Sequence, residues 1–197
     1  MLDPCHARTP QHLQLGEGVL LRNVDLDEAL ASGDPAAFLA AAMQEESHLI
    51  GATKAGCEFR CVPIVLDATR GSRTPAPGET LLGRWEVSLS GTLLEISPGN
   101  AAMLLNQPAC ESADGMAILR PVPAAAPESC GDLCWVGDTG GGLLAIGLHC
   151  PISIGGLVLR ANRDGLGEAP FTLMAQKRSP AETGLPCRLV WLEVADT

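Results

Sequence analysis

From Arg84 to Leu93 the side chains alternate in character. Arg84, Glu86, Ser88, Ser90 and Thr92 are polar, while Trp85, Val87, Leu89 and Leu93 are apolar. A period of two puts each set on its own face of an extended chain, so the run predicts a long strand with one wet and one buried face. Trp85, Val87, Leu89 and Leu93 are the expected buried set. The strand stops at Ser97-Pro98. Serine as a cap and proline at the first helical position predict a helix start, because proline's missing N–H would be unpaired there in any case. Ala101 to Leu105 then supply strong helix formers.

The rest of the chain reads as further strands. Val19 to Arg22 is a short apolar strand, and Asn23 to Gly33 is an acidic connection. Asp34-Pro35 is a second helix start, with Phe38, Leu39, Ala42 and Met43 at helical spacing to about Gln44. That helix either packs on the domain or makes a subunit contact. Cys57 to Leu66 predicts a strand with Glu58 and Arg60 on one face and Cys57, Phe59 and Cys61 on the other. Pro63 cannot donate to a ladder and marks an edge or a bulge. Asp67 to Gly78 is a loop, long beside the roughly 2–5 residues of a simple hairpin.

Downstream, Met116 to Val122 predicts a short strand. Leu133 to Gly137 and Leu143 to Cys150 predict a hairpin around Asp138-Thr139-Gly140-Gly141-Gly142. Leu157 to Asn162 predicts another strand. Ala169 to Lys177 alternates, with Phe171, Leu173 and Ala175 inward and Thr172 and Gln176 outward. Arg188 to Val194 is the last strand. The expected fold is mainly β, with one or two short flanking helices. Residues 1–17 read as an N-terminal arm and 18–197 as a single β-rich domain.

Composition excludes several functions. A net charge of −10 argues against tight, sequence-independent DNA binding, which needs clustered Lys and Arg. Aromatic residues make up 3% and there is no Tyr, which argues against stacking on bases. No stretch approaches the roughly 18 apolar residues of a membrane span. Met1 to His6 has neither a basic nor an apolar leader region, so a secretory signal is not expected.

The eight cysteines are Cys5, Cys57, Cys61, Cys110, Cys130, Cys134, Cys150 and Cys187. Free buried thiols are the favoured reading, ahead of a metal site or disulfides. Cys57 and Cys61 on one strand lie about 13 Å apart, too far for one tetrahedral ion. Cys130 and Cys134 flank a turn and are geometrically easier. His149 beside Cys150 is a further possible ligand, although His6, His12, His48 and His149 are scattered. No nucleophile elbow, zinc-protease helix or phosphate loop is present. The expectation is no enzyme, no metal and no cofactor.

Two stretches together resemble one family. Gly51, Thr53, Lys54, Gly56 and Phe59 form the first; Gly91, Leu93, Leu94, Glu95, Ile96, Ser97 and Pro98 form the second. The pattern resembles the major tail tube protein of long-tailed, non-contractile bacteriophages, over roughly Leu49 to Arg178. Val136-Gly137-Asp138, Gly140 to Gly142, Leu143 to Leu148 and Gly155-Gly156-Leu157 fit that family's order of elements. The Pro/Ala-rich stretch Pro121 to Pro127 departs from it.

The resemblance implies a virion protein assembled in the host cytoplasm. It implies a tail-tube β-sandwich or half-barrel, six copies per ring, and strands from each copy closing an inner barrel. Stacked rings would form a helical conduit through which DNA passes during ejection without specific binding. Glu58, Arg60, Glu86, Ser88, Ser90, Thr172 and Gln176 would line the lumen. Asp67, Arg70 and Arg73 would lie in the ring-stacking loop. A negative bore would repel the phosphate backbone. Partners would be other copies of the chain, a tape measure protein, and tail terminator and tail tip proteins, with no membrane. The alternative is a non-viral β-sandwich binding or adaptor module with an ordinary solvated face. A thiol or zinc enzyme is a third class, supported by the cysteine count alone.

Overall fold

The computed structural model describes residues 17–67, 80–107, 111–121, 131–139, 142–161 and 167–193. In chain order these form β1 (Gly18–Arg22), α1 (Leu26–Ala31), α2 (Pro35–Gln44), β2 (Leu49–Asp67), β3 (Thr80–Leu93) and α3 (Pro98–Leu104). Then come β4 (Glu111–Ala113), β5 (Met116–Ile118), β6 (Leu133–Asp138), β7 (Gly142–Leu148), β8 (Ile152–Ser153), β9 (Arg160–Ala161), β10 (Gly167–Met174) and β11 (Cys187–Glu193). The fold is mainly β, as the alternation predicts, with three short helices. One antiparallel sheet runs in the order β11-β7-β6-β1-β2-β3-β10-β8, with β9 beside β10. β4 and β5 form a separate ribbon.

Both predicted helix starts are present. Asp34 accepts from Ala37 N at the head of α2, and Ser97 accepts from Asn100 N at the head of α3. Helix α1 is an addition to the expected plan. The acidic reading of Asn23 to Gly33 passed over Val24, Leu26 and Ala29, which are all buried. Asp25 caps this helix by accepting from Asp27 N.

The sheet curls, so that its inner face packs against itself. Val87, Leu89, Leu93, Phe171 and Leu173 share one core with Trp135, Ile146 and Leu148, although these strands lie far apart in the sheet order. Backbone bonds from Gln176 N to His149 O and from Ala175 N to Val87 O tie the ends of β7, β10 and β3 together. Helix α3 adds Met103 and Leu104 to this core. A second core lies on the outer face of β1, β6 and β7. There Leu21, Cys134, Val136 and Ala145 meet Leu26, Ala29, Leu39 and Ala42 of the first two helices.

β2 links the two regions. Leu49 to Thr53 pair with β1, while Cys57 to Asp67 pair with β3 alone among the described strands. The register shifts between Thr53 and Cys57, and Gly56 takes φ +81°, a left-handed conformation suited to glycine. A bulge of this kind bends a strand and steepens its twist. Pro63 occupies the edge segment and adjoins a second register shift, as its missing donor predicts.

Trp135 anchors the inner core. Its indole lies against Gly18 and Gly137, which face each other across β1 and β6. A Cβ at Gly18 would come within 2.4 Å of the ring, and one at Gly137 within 2.1 Å. Its Nε1 donates to Thr53 Oγ1, which donates to Gly18 O.

Three details correct the strand readings. Trp85 is 40% exposed rather than buried, because it pairs with Pro63 beyond Val87, the last core residue of its face. Of the strand expected from Leu157 to Asn162, Arg160–Ala161 is strand, residues 157–159 are not, with Val158 and Leu159 exposed, and Asn162 lies outside the described residues. That expected over Met116 to Val122 ends at Ile118.

Candidate functional site

One face of β2, β3 and β10 carries most of the candidate lumen residues. Glu58 lies opposite Ser90, which lies opposite Thr172. Arg60 lies opposite Ser88, and Glu86 opposite Val62. Glu58, Arg60 and Glu86 are exposed, and Ser88, Ser90 and Thr172 are half-buried. The row is therefore continuous across three strands, though Val62 and Met174 share the face with the polar residues. Gln176 is exposed but lies past the end of β10, where its N–H is held by His149 O. Arg70 and Arg73 lie outside the described residues. Asp67 ends β2 and is the only member of the proposed stacking loop whose backbone is described.

The charges on this face pair locally. Glu58 lies 3.8 Å from Arg60, and Glu86 lies 3.2 Å from Arg84. Two carboxylates thus meet two guanidiniums, and the described face is close to neutral rather than acidic. Exposed pairs of this kind add little stability.

The two stretches that carry the family resemblance meet in space. Leu94 N donates to Ala52 O, and Ala52 N donates to Glu95 Oε1. Asn100 Nδ2 donates to both Ile50 O and Glu95 O, and Asn100 Oδ1 accepts from Arg22. Gly51, at φ +143°, leaves room for the Glu95 side chain. Gly91 leaves room for Cys57 and Phe171, its partners on either side. Lys54 pairs with Glu168. These motif residues therefore build a joint between β2 and the end of β3, and this local role is structural.

A second cluster lies at the ends of α1, β7 and β10, and the chain order hides it. Arg178 donates to Asp132 Oδ2 at 2.7 Å and pairs with Asp25 at 2.7 Å and Asp27 at 3.3 Å. Arg188 Nε donates to Asp27 Oδ1 at 2.7 Å. His149 is 2% exposed, with Nδ1 3.1 Å from Glu182 Oε1 and Nε2 3.7 Å from Asp27 Oδ2. Glu182 Oε2 also accepts from Arg178 N. Burial pushes the Asp25 carboxyl up, but the Arg178 hydrogen bond, helped by the Asp27 N–H, holds it below its ordinary value. Glu182 is likewise lowered: burial opposes ionisation, and the Arg178 N–H and His149 outweigh it. No motif announces this group. The only signals in the sequence were the acidic run Asn23 to Gly33 and His149 beside Cys150.

Cys57, Cys61, Cys134, Cys150 and Cys187 are free thiols. Cys5, Cys110 and Cys130 lie outside the described residues. Burial pushes Cys57 and Cys134 up to about 12 and Cys187 up to about 11. Such thiols stay protonated at neutral pH and are poor nucleophiles. Among the described residues no helix is long and apolar enough to cross a membrane. No protein-family model matches the chain, and no curated protein matches it.

Proposed function

We propose that this chain is a structural subunit of a phage-type tail tube, in which copies form rings and the β2-β3-β10 face lines the bore. The observation that carries the reading is the polar row Glu58-Ser90-Thr172 and Arg60-Ser88, which spans three paired strands with no described element over it. An ordinary sheet face of this size in a small domain is commonly packed on one side and wet on the other, so the row alone suits a monomer too. The edge of β2 adds the distinguishing argument. From Cys57 onward this long strand has no described neighbour on the side away from β3. An unpaired edge of that length invites another chain, and closure into a barrel removes it.

DNA transit then depends on a bore that offers phosphate nothing to hold. Glu58 offsets Arg60 and Glu86 offsets Arg84, so no cationic track runs along the described face. The expected repulsion by an acidic lining is not carried by these residues. Rings would stack through segments that include the 67–78 loop, and the tape measure, terminator and tip proteins would act at the tube's ends and lumen.

Negative-stain microscopy and sedimentation of the purified full chain test the reading. Rings or rods with a central hole are the expected result. A second arm tests the lining: Ser88→Lys with Ser90→Lys should leave rods intact and make them retain duplex DNA at low salt. A chain that stays monomeric at all concentrations would overturn the proposal and favour the binding or adaptor module.

A further inference from the structure

The cluster around His149 has a chemical shape that its own ion pairs do not complete. Glu182 Oε2 accepts from Arg178 N, and a glutamate carboxylate at neutral pH can only accept. His149 Nδ1, 3.1 Å from Glu182 Oε1, must therefore carry a proton and donate it. This sets the direction of the ring. Nε2 then points toward Asp27 Oδ2, 3.7 Å away, and is buried with no hydrogen-bond partner. A neutral imidazole would aim a lone pair at a carboxylate with no donor between them. Something positive belongs in that space, a proton on Nε2 or a metal ion.

The charge count agrees. Asp25, Asp27, Asp132 and Glu182 face Arg178 and Arg188, and Lys177 sits on the outer side at Glu182 O. Even with Lys177 included, four carboxylates meet three fixed cations, and the cluster is negative. One ligand atom from each of Asp25, Asp27 and His149 lies within 4.8 Å of the others. Ligands on a tetrahedral ion with bonds of about 2.0–2.1 Å are about 3.4 Å apart. Closing the gap takes about an ångström of side-chain movement at partly exposed residues.

We propose that Asp25, Asp27 and His149 form a binding site for a divalent transition-metal ion, best matched by zinc, with Glu182 as the group that orients the imidazole. One nitrogen and two carboxylate oxygens suit zinc, and solvent fills the fourth position. A histidine that binds a metal commonly donates its other N–H to a carboxylate, which is the arrangement of Glu182 and His149. Arg188 holds Asp27 through Oδ1 and leaves Oδ2 for the ion. Arg178 gives up its 3.3 Å contact to Asp27 and its 2.7 Å contact to Asp25 Oδ2, and keeps Asp132 at 2.7 Å, while Asp25 Oδ1 stays on Asp27 N. The ion would join the start of α1 to the turn after β7, with no thiol among its three protein ligands. This inference does not depend on the ring reading.

The test is zinc titration by calorimetry on the full chain, stripped with chelator and kept reduced at neutral pH. One zinc per chain is expected. Asp27→Asn should weaken binding at least tenfold, and Glu182→Gln by about 10- to 100-fold. His149→Gln should abolish it. Should that variant fail to fold, Asp27→Asn, at a partly exposed position, still decides the matter. Cobalt substitution separates this site from the cysteines. A spectrum without a thiolate-to-cobalt charge-transfer band supports it, whereas a strong band places the ion on sulfur and overturns it. A flat isotherm, or Asp27→Asn binding as tightly as the unaltered chain, also overturns the proposal.

Discussion

The two halves of the sheet obey different rules. In β6, Leu133 to Gly137 are buried on both faces, because the inner core lies below and helices α1 and α2 lie above. Among the described side chains of β3, Val87, Leu89 and Leu93 are the buried ones, and Glu86, Ser88, Ser90 and Thr92 face away from the core. The difference is written in the period of the residues. A run such as Leu133-Cys134-Trp135-Val136 has no polar face to offer water, so it requires cover on both sides. An alternating run requires cover on one. The same sheet can therefore hold a domain together at one end and leave a surface free for assembly at the other.

That contrast can be broken most severely at Trp135. Trp135→Ala should cost about 3–5 kcal/mol in urea unfolding, since it empties the space between Gly18 and Gly137. A loss under about 1 kcal/mol would mean the covered half is not the stability centre.

Thr53→Val comes next, at about 1–3 kcal/mol, because it leaves the buried Trp135 Nε1 without its acceptor. If the variant matches the parent, Trp135 is held by packing alone.

Acid sharpens the picture at the charged cluster. Asp25 and Glu182 have folded values below their ordinary 3.8 and 4.5. Between folded and unfolded values the unfolded chain binds more protons, so stability falls as pH falls. Their contribution is complete above the ordinary values and is lost as pH drops through the folded ones. Thermal melts of chelator-treated protein should show this acid loss, and Asp25→Asn should flatten it. An unchanged slope would remove Asp25 from the account.

The smallest effect belongs to the bare face. Glu58→Gln or Arg60→Gln should shift unfolding by no more than about 0.5 kcal/mol, because the pair is exposed and its charges are screened. A clear loss of stability would show that this face is already packed, against the reading of it as free.

The long strands and two of the helices were legible because their signals are local. Asp34-Pro35 and Ser97-Pro98 each place a side-chain acceptor beside unpaired N–H groups within one turn. The order of Phe171, Leu173 and Ala175 against Thr172 likewise needs no distant partner. Helix α1 was missed although Leu26 and Ala29 carry helical spacing, because six residues give a short pattern and the acidic side chains dominate it. The strand reading of Ala169 to Lys177 overran at Gln176 for a related reason. Alternation continues through the sequence after the backbone has left β10 for His149.

Side-chain period and capping chemistry by themselves determined where the long strands lie, which face of β3 and β10 is buried, and where α2 and α3 begin. Tertiary structure alone decided that β2 shifts register at Gly56, that the sheet's distant strands share one core, that Trp85 outruns it, and that His149 meets Asp27 and Glu182. The reason is range. A cap or an alternating face is settled by neighbours within a few residues, whereas Asp27 and Arg188 become partners only after the strands between them have closed around the core.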